Sequence, residues 1–174
     1  MDAARQAVHD ELERVRQEFG RHVLEMSEED LRQRSTGTRW TNRQLLFHML
    51  FGYLLVRSLL LMVKVLGRLP AGSTRPFAAV LNSLTRPFHS INYWGSVIGG
   101  AVFTPERMRR RLDRVTAALE RDLDKQTDAS LQRGMAYPTR WDPYFKPYMT
   151  LADIYHYPTQ HFDHHDRQLN REHR

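Results

Sequence analysis

The stretch "LLFHMLFGYLLVRSLLLMVKVLG" (45–67) constrains this chain more than any other. It is apolar over more than twenty residues, yet His48, Arg57 and Lys64 interrupt it, so the expected structure is a helix buried on more than one side within a protein core, not a membrane span. Its start is explicit. "TNRQ" (41–44) is a capping box, with Thr41 as N-cap and Gln44 at the third helical position. Gly67, Pro70 and Gly72 end it. A helix covered on several sides demands other helices around it.

Three such partners are legible. Ala4, Val8, Leu12, Val15, Phe19 and Val23 recur at steps of three and four, one apolar stripe over residues 4–23. "SEED" (27–30) starts a short helical turn through Leu31. "TPER" (104–107) joins a Thr N-cap to a Pro at the first helical position, and Met108, Leu112, Val115 and Leu119 form the buried stripe of the helix it opens. "TLAD" (150–153) opens a last helix running to about residue 171, with Pro158 inside it predicting a bend. Residues 75–101 are expected to be helical in two pieces, bent near Pro87. Residues 128–149 form a long connection rich in proline and aromatics. No strand period and no hairpin dipeptide stands out. The expected class is all-α, a single helical bundle domain over 1–174.

The chain has no cysteine, which excludes disulfides, thiolate ligands and a cysteine nucleophile. The N-terminal twenty residues are charged throughout and do not resemble a secretory signal, so a cytoplasmic protein without membrane insertion is expected. The net charge is +6, with arginines crowded into "ERMRRRLDR" (106–114). No nucleic-acid motif accompanies that charge, and a solvated helix face explains it better than nucleic-acid binding.

"YPTQHFDHHDRQL" (157–169) carries the chemistry. His161 and His165 are four residues apart, the spacing that lets two imidazoles converge on one ion, while His164 lies about 60° to the other side of His161. A solvated face that happens to be rich in histidine is the competing explanation. A third ligand from a second buried helix separates the two, and His48 is such a candidate, although a lone core histidine satisfied by hydrogen bonds is also common.

"RWTNRQLLFHML" (39–50) and "MTLADIYHYPTQHFDHHDRQL" (149–169) together resemble the DinB/YfiT-like superfamily. The former is similar to the helix that delivers that family's first metal histidine. The latter is similar to its closing helix, with a His-x-x-x-His pair followed by a polar segment ending in Gln-Leu. The segment 67–103 matches poorly and is longer than the family's core requires. The resemblance implies an up–down–down–up four-helix bundle with an extra or bent helical segment around 75–101. It implies a divalent metal, zinc or nickel, on His48, His161 and His165, with Gln168 at the family's glutamine position. It also implies two kinds of activity: thiol-dependent transfer or isomerisation using mycothiol, bacillithiol or glutathione, and hydrolysis.

Around that triad, Gln44 and Tyr157 are candidates to orient a ligand imidazole or a substrate, and His164 is a candidate general base at the rim. Tyr144 and Phe145, in the aromatic connection, are candidate walls of a cofactor or cosubstrate pocket together with Gln168; Trp141 is expected to cap the core. Asp163 and Asp166 are expected to be solvated or paired with arginines. A small-molecule substrate and a homodimer are the expected partners. A non-catalytic bundle with the apolar segment 76–103 as an interface is the alternative from outside enzymology.

Overall fold

Thr41 caps α3, Asn42–Leu66, as its sequence dictates: its side chain accepts from the Gln44 N–H, and the Gln44 side chain accepts from the Thr41 N–H. This helix is the axis of the protein, seen in a computed structural model that describes residues 3–70 and 72–170. Before it come α1 (Ala3–Glu25) and the short α2 (Glu28–Arg32). After it come α4 (Arg75–Ser83), α5 (Thr85–Val102), α6 (Pro105–Leu123) and the one-turn α7 (Asp128–Leu131). The strands β1 (Gly134–Ala136) and β2 (Tyr148–Thr150) then lead into α8 (Leu151–Asp166).

The polar pairs between helices fix their directions. Glu11 meets His156 and His22 meets Asp166, so α1 and α8 run parallel. Arg43 reaches the Phe103 carbonyl and Lys64 pairs with Asp122, so α3 and α6 also run parallel. His48 meets His165 while Tyr53 meets Thr159, which sets α3 against α8 in opposite directions. Arg5 meets the Gln126 carbonyl, His9 pairs with Asp124, and Gly20 lies beside Arg109, so α1 opposes α6. The result is an up–down–down–up bundle of α1, α3, α6 and α8. Its core runs from Val8, Leu12, Val15 and Phe19 on α1 to Met108, Leu112 and Leu119 on α6.

Three details differ from the sequence expectation. The connection 128–149 holds a two-stranded antiparallel ladder, with Met135 opposite Met149. Strands of three residues are too short to show an alternating period, and β1 is buried throughout. The break between α4 and α5 falls at Leu84, three residues before Pro87. A proline is tolerated in a helix's first turn, where its missing N–H has no partner to lose, so the new helix begins ahead of it. Helix α8 is continuous through Pro158 and ends at Asp166 rather than near 171.

The physical cause of that early end is Asn42. Its amide nitrogen donates to the carbonyls of Asp30 (2.8 Å) and Asn170 (2.6 Å), and its oxygen accepts from the Asn170 N–H (3.0 Å). The Thr36 N–H donates to the Gln168 carbonyl at 2.7 Å. The chain after α8 is thus drawn off the helical path and fastened to the start of α3. Asn42→Ala removes these three hydrogen bonds to part-buried backbone groups. We expect it to lower unfolding stability by about 1–3 kcal/mol in urea titrations, more than an exposed Asn→Ala change.

Candidate metal centre

The clamp at Asn42 places the end of α8 over the first two turns of α3. His48 comes from α3; His161 and His165 come from one face of α8, a turn apart. The ring centroids lie 4.9 Å (48–161), 4.5 Å (48–165) and 4.6 Å (161–165) apart. One ring nitrogen from each lies within 4.8 Å of the others. All three rings are buried, with exposures of 3%, 5% and 9% for residues 48, 161 and 165.

Hydrogen bonds on the far side of two rings define their tautomers. The Ser96 hydroxyl donates to the Asn92 carbonyl at 2.8 Å, so its oxygen is left to accept from His48 Nδ1–H at 3.1 Å. Gln168 Oε1 can only accept, and it does so from His165 Nδ1–H at 2.7 Å. Both Nε2 atoms therefore present lone pairs, and they face each other at 3.1 Å. Two acceptors at that distance have no proton between them and repel. A cation resolves the conflict: two nitrogens bound to one tetrahedral ion lie about 3.4 Å apart, close to the spacing seen. His161 Nδ1 is buried without a hydrogen-bond partner, pressed against α3 where a Cβ on Gly52 would come within 2.8 Å of it. That close approach requires glycine. The donor set of three neutral nitrogens fits a divalent metal ion.

Burial, followed by the neighbouring imidazoles, holds all three histidines neutral. His48 is pushed well below the usual histidine range, His161 to about 4 and His165 to about 3. His161 Nε2 also lies 3.9 Å from Asp142 Oδ2. With the ring neutral this is no ion pair, and the distance is too long for a hydrogen bond. Asp142 is instead held by Tyr157 Oη–H (3.0 Å to Oδ2) and the Tyr144 N–H (2.9 Å to Oδ1). On the opposite side Trp40 stacks on His48 at 4.4 Å, Tyr93 of α5 stacks on Trp40 at 6.1 Å, and Arg39 lies 4.8 Å over the Tyr93 ring.

Several residues singled out from sequence have other roles. The Gln44 side chain is part of the α3 cap and accepts from the Thr41 N–H; Ser96 orients His48. Tyr157 holds Asp142 rather than an imidazole. Gln168 orients His165. His164 and Tyr144 meet at the half-buried rim, Nδ1 to Oη, at 3.2 Å. Phe145 is buried between Tyr137 and Tyr157, as core rather than pocket wall. Trp141 packs against the core as expected; it also donates its indole N–H to the Leu81 carbonyl and stacks on Phe88 at 4.2 Å, joining the connection to α4 and α5. Asp163 pairs with Arg14, whereas Asp166 pairs with His22. Ser96 and Asp142 were not singled out from sequence. Ser96 sits among small residues in "GSVIGG", and Asp142 stands inside the aromatic run "WDPYF" next to the metal helix.

The DinB superfamily model matches residues 11–169, nearly the whole chain, and the protein belongs to that superfamily. Searches of curated proteins and of solved structures return no match.

Two outcomes follow from this geometry. Ser96→Ala and Gln168→Ala should each weaken metal binding about 10–100-fold in chelator competition, because each releases one ligand ring. The depressed histidines also set a pH dependence for the metal-free protein. Above about pH 6.5 both folded and unfolded rings are neutral. As pH falls below that, the unfolded chain takes up protons that the folded chain refuses. Stability then drops by up to about 1.4 kcal/mol per pH unit for each ring. The loss continues until the folded rings titrate, near pH 4 for His161 and pH 3 for His165. Urea titrations from pH 7 to pH 5 should show a steeper decline for the natural protein than for the triple His→Ala variant at 48, 161 and 165.

Proposed function

We propose that this chain is a metal-dependent enzyme in which His48, His161 and His165 hold a divalent ion. When bound there, such an ion would lower the pKa of the thiol of a low-molecular-weight cosubstrate, such as mycothiol, bacillithiol or glutathione, and so favour its addition to an electrophilic small molecule. The observation that carries the reading is the pair of Nε2 lone pairs aimed at each other across 3.1 Å, each fixed by an outer partner. A divalent ion on three neutral ligands keeps its full charge and an open position, and there it lowers the pKa of a thiol or a water. The chain has no cysteine, so any thiol must arrive with a cosubstrate.

The chain's own residues do the rest. Ser96 and Gln168 keep both Nε2 atoms free of protons. The Trp40–Tyr93 stack shields the His48 ring from water. Asp142 Oδ2, steadied by Tyr157, is a carboxylate oxygen 3.9 Å from His161 Nε2, which supports a role as acceptor of a proton from the incoming nucleophile. His164, tied to Tyr144, stands at the rim as a second acceptor. The same carboxylate gives a hydrolase reading its support, since it is equally suited to take a proton from water.

Elemental analysis of the purified protein should find a divalent transition metal that His48→Ala and His161→Ala both lose while remaining folded; retention in both variants rejects the triad. In cobalt-substituted protein, adding a low-molecular-weight thiol should produce a sulfur-to-metal charge-transfer band. No band with any thiol, combined with thiol-independent ester cleavage that Asp142→Asn abolishes, favours hydrolysis instead.

A further inference from the structure

The surface of α4, α5 and the second half of α3 has a character unlike the rest of the molecule. Twelve large hydrophobic side chains are exposed among the described residues, and ten of them lie between Leu61 and Val102. On α5 the positions 91, 94, 98 and 102 fall at steps of three and four, so they share one face. Ile91, Trp94, Ile98 and Val102 are 66%, 57%, 60% and 61% exposed. The opposite face of α5 is fully engaged. Ser96 holds His48, a Cβ at Gly99 would overlap the Phe47 ring, and one at Gly100 would come within 2.9 Å of the Gln44 Cα. The outward apolar stripe is therefore not a core face awaiting its own bundle. Helix α4 and the residue that ends it continue the stripe with Phe77, Val80 and Leu84, all exposed, while Ala78 faces inward.

The charge carried by α3, α4 and α5 has one sign; the carboxylate that borders Leu61, Asp122 of α6, is paired with Lys64. No aspartate or glutamate occurs between Asp30 and Glu106, a span that carries nine arginines and lysines. Arg57, Arg68, Arg75 and Arg86 are exposed on these three helices or just beyond their ends. The platform is also fixed in place. The Ala136 N–H donates to Thr74 Oγ1 (2.9 Å), the Arg140 N–H to Asn82 Oδ1 (3.1 Å), and the Trp141 indole to the Leu81 carbonyl (2.8 Å).

We propose that this face docks on the surface of an anionic lipid bilayer. Trp94, Phe77 and the aliphatic stripe enter the headgroup–acyl boundary, and the flanking arginines pair with lipid phosphates. Charge decides between this occupant and a second copy of the chain. A two-fold contact through α4 and α5 would set arginines against arginines with no carboxylate on either helix to pair them. A bilayer supplies both the apolar layer and the missing anions. Helix α3 is long and apolar enough to span a membrane, but residues along it from Asn42 to Val63 are buried in the bundle.

The test uses the full chain with vesicles of phosphatidylcholine alone and of phosphatidylcholine mixed with phosphatidylglycerol. Co-sedimentation should occur with the mixed vesicles and fall off with salt and in phosphatidylcholine alone. Binding should shift tryptophan emission to the blue, and Trp94→Phe should remove most of that shift. Ile98→Asp and the pair Arg75→Glu with Arg86→Glu should each reduce binding by more than about tenfold. These substitutions should leave the melting temperature and metal content unchanged, since none of the three residues touches the triad. Failure to bind the mixed vesicles overturns the proposal. So does binding that survives both sets of substitutions. A dimer in light scattering that Ile98→Asp dissociates, with no vesicle binding, overturns it in favour of a second copy.

Discussion

The antiparallel contact between α3 and α8 is the constraint on which the rest of this structure depends. It brings the Nε2 atoms of His48 and His165 to 3.1 Å of each other in a buried setting. With both outer nitrogens protonated such an arrangement is unfavourable by itself, and a bound cation would relieve it. Each neighbouring feature maintains it. Asn42 fastens the chain beyond α8 to the start of α3, Ser96 and Gln168 hold the outer nitrogens, and Gly52 leaves room for His161 against the helix backbone. The ionisable groups follow from the same burial: three histidines kept neutral, and the Tyr157 hydroxyl held well above the usual phenol range by burial and by Asp142.

Helix α5 joins the histidine cluster to the outer surface. Its inner face completes the candidate centre through Ser96 and Tyr93, and its glycines let it lie directly on α3. Its outer face carries the exposed apolar stripe. A bilayer contact through that face would bear on the helix that orients His48, so the candidate metal centre and the proposed docking surface would share one element. The aromatic connection between β1 and β2 acts similarly on the other side: Trp141 binds α4, while Asp142 and Tyr144 just after it reach α8.

Much of this was legible in the chain itself. The caps at Ser27, Thr41, Thr104 and Thr150 are local chemistry between residues three apart, and each starts the helix its sequence announces. The apolar stripes of α1 and α6 lie in the core, apart from Ala4, which is exposed, and Val23, which is half-buried. The three histidines could be nominated because two of them share a helical face and the third lies in the most apolar helix. The two-stranded ladder was not legible, because three residues carry no period, and neither was the early end of α8, because Asn42 and Asn170 are separated by most of the sequence.

Local order along the chain thus settled where helices begin, which face of each is apolar, and which side chains could donate to a metal. These depend on residues within a few positions of one another. How those donors are held was settled by the packed fold alone. It assigned the role of orienting His48 to Ser96 rather than to Gln44, since Gln44 sits closer along the chain but its amide oxygen is engaged by the cap it helps to form. It set Asp142 beside His161, and it turned one face of α5 outward. Those outcomes depend on the packing of distant elements, in which direction and distance, not order along the chain, fix which groups meet.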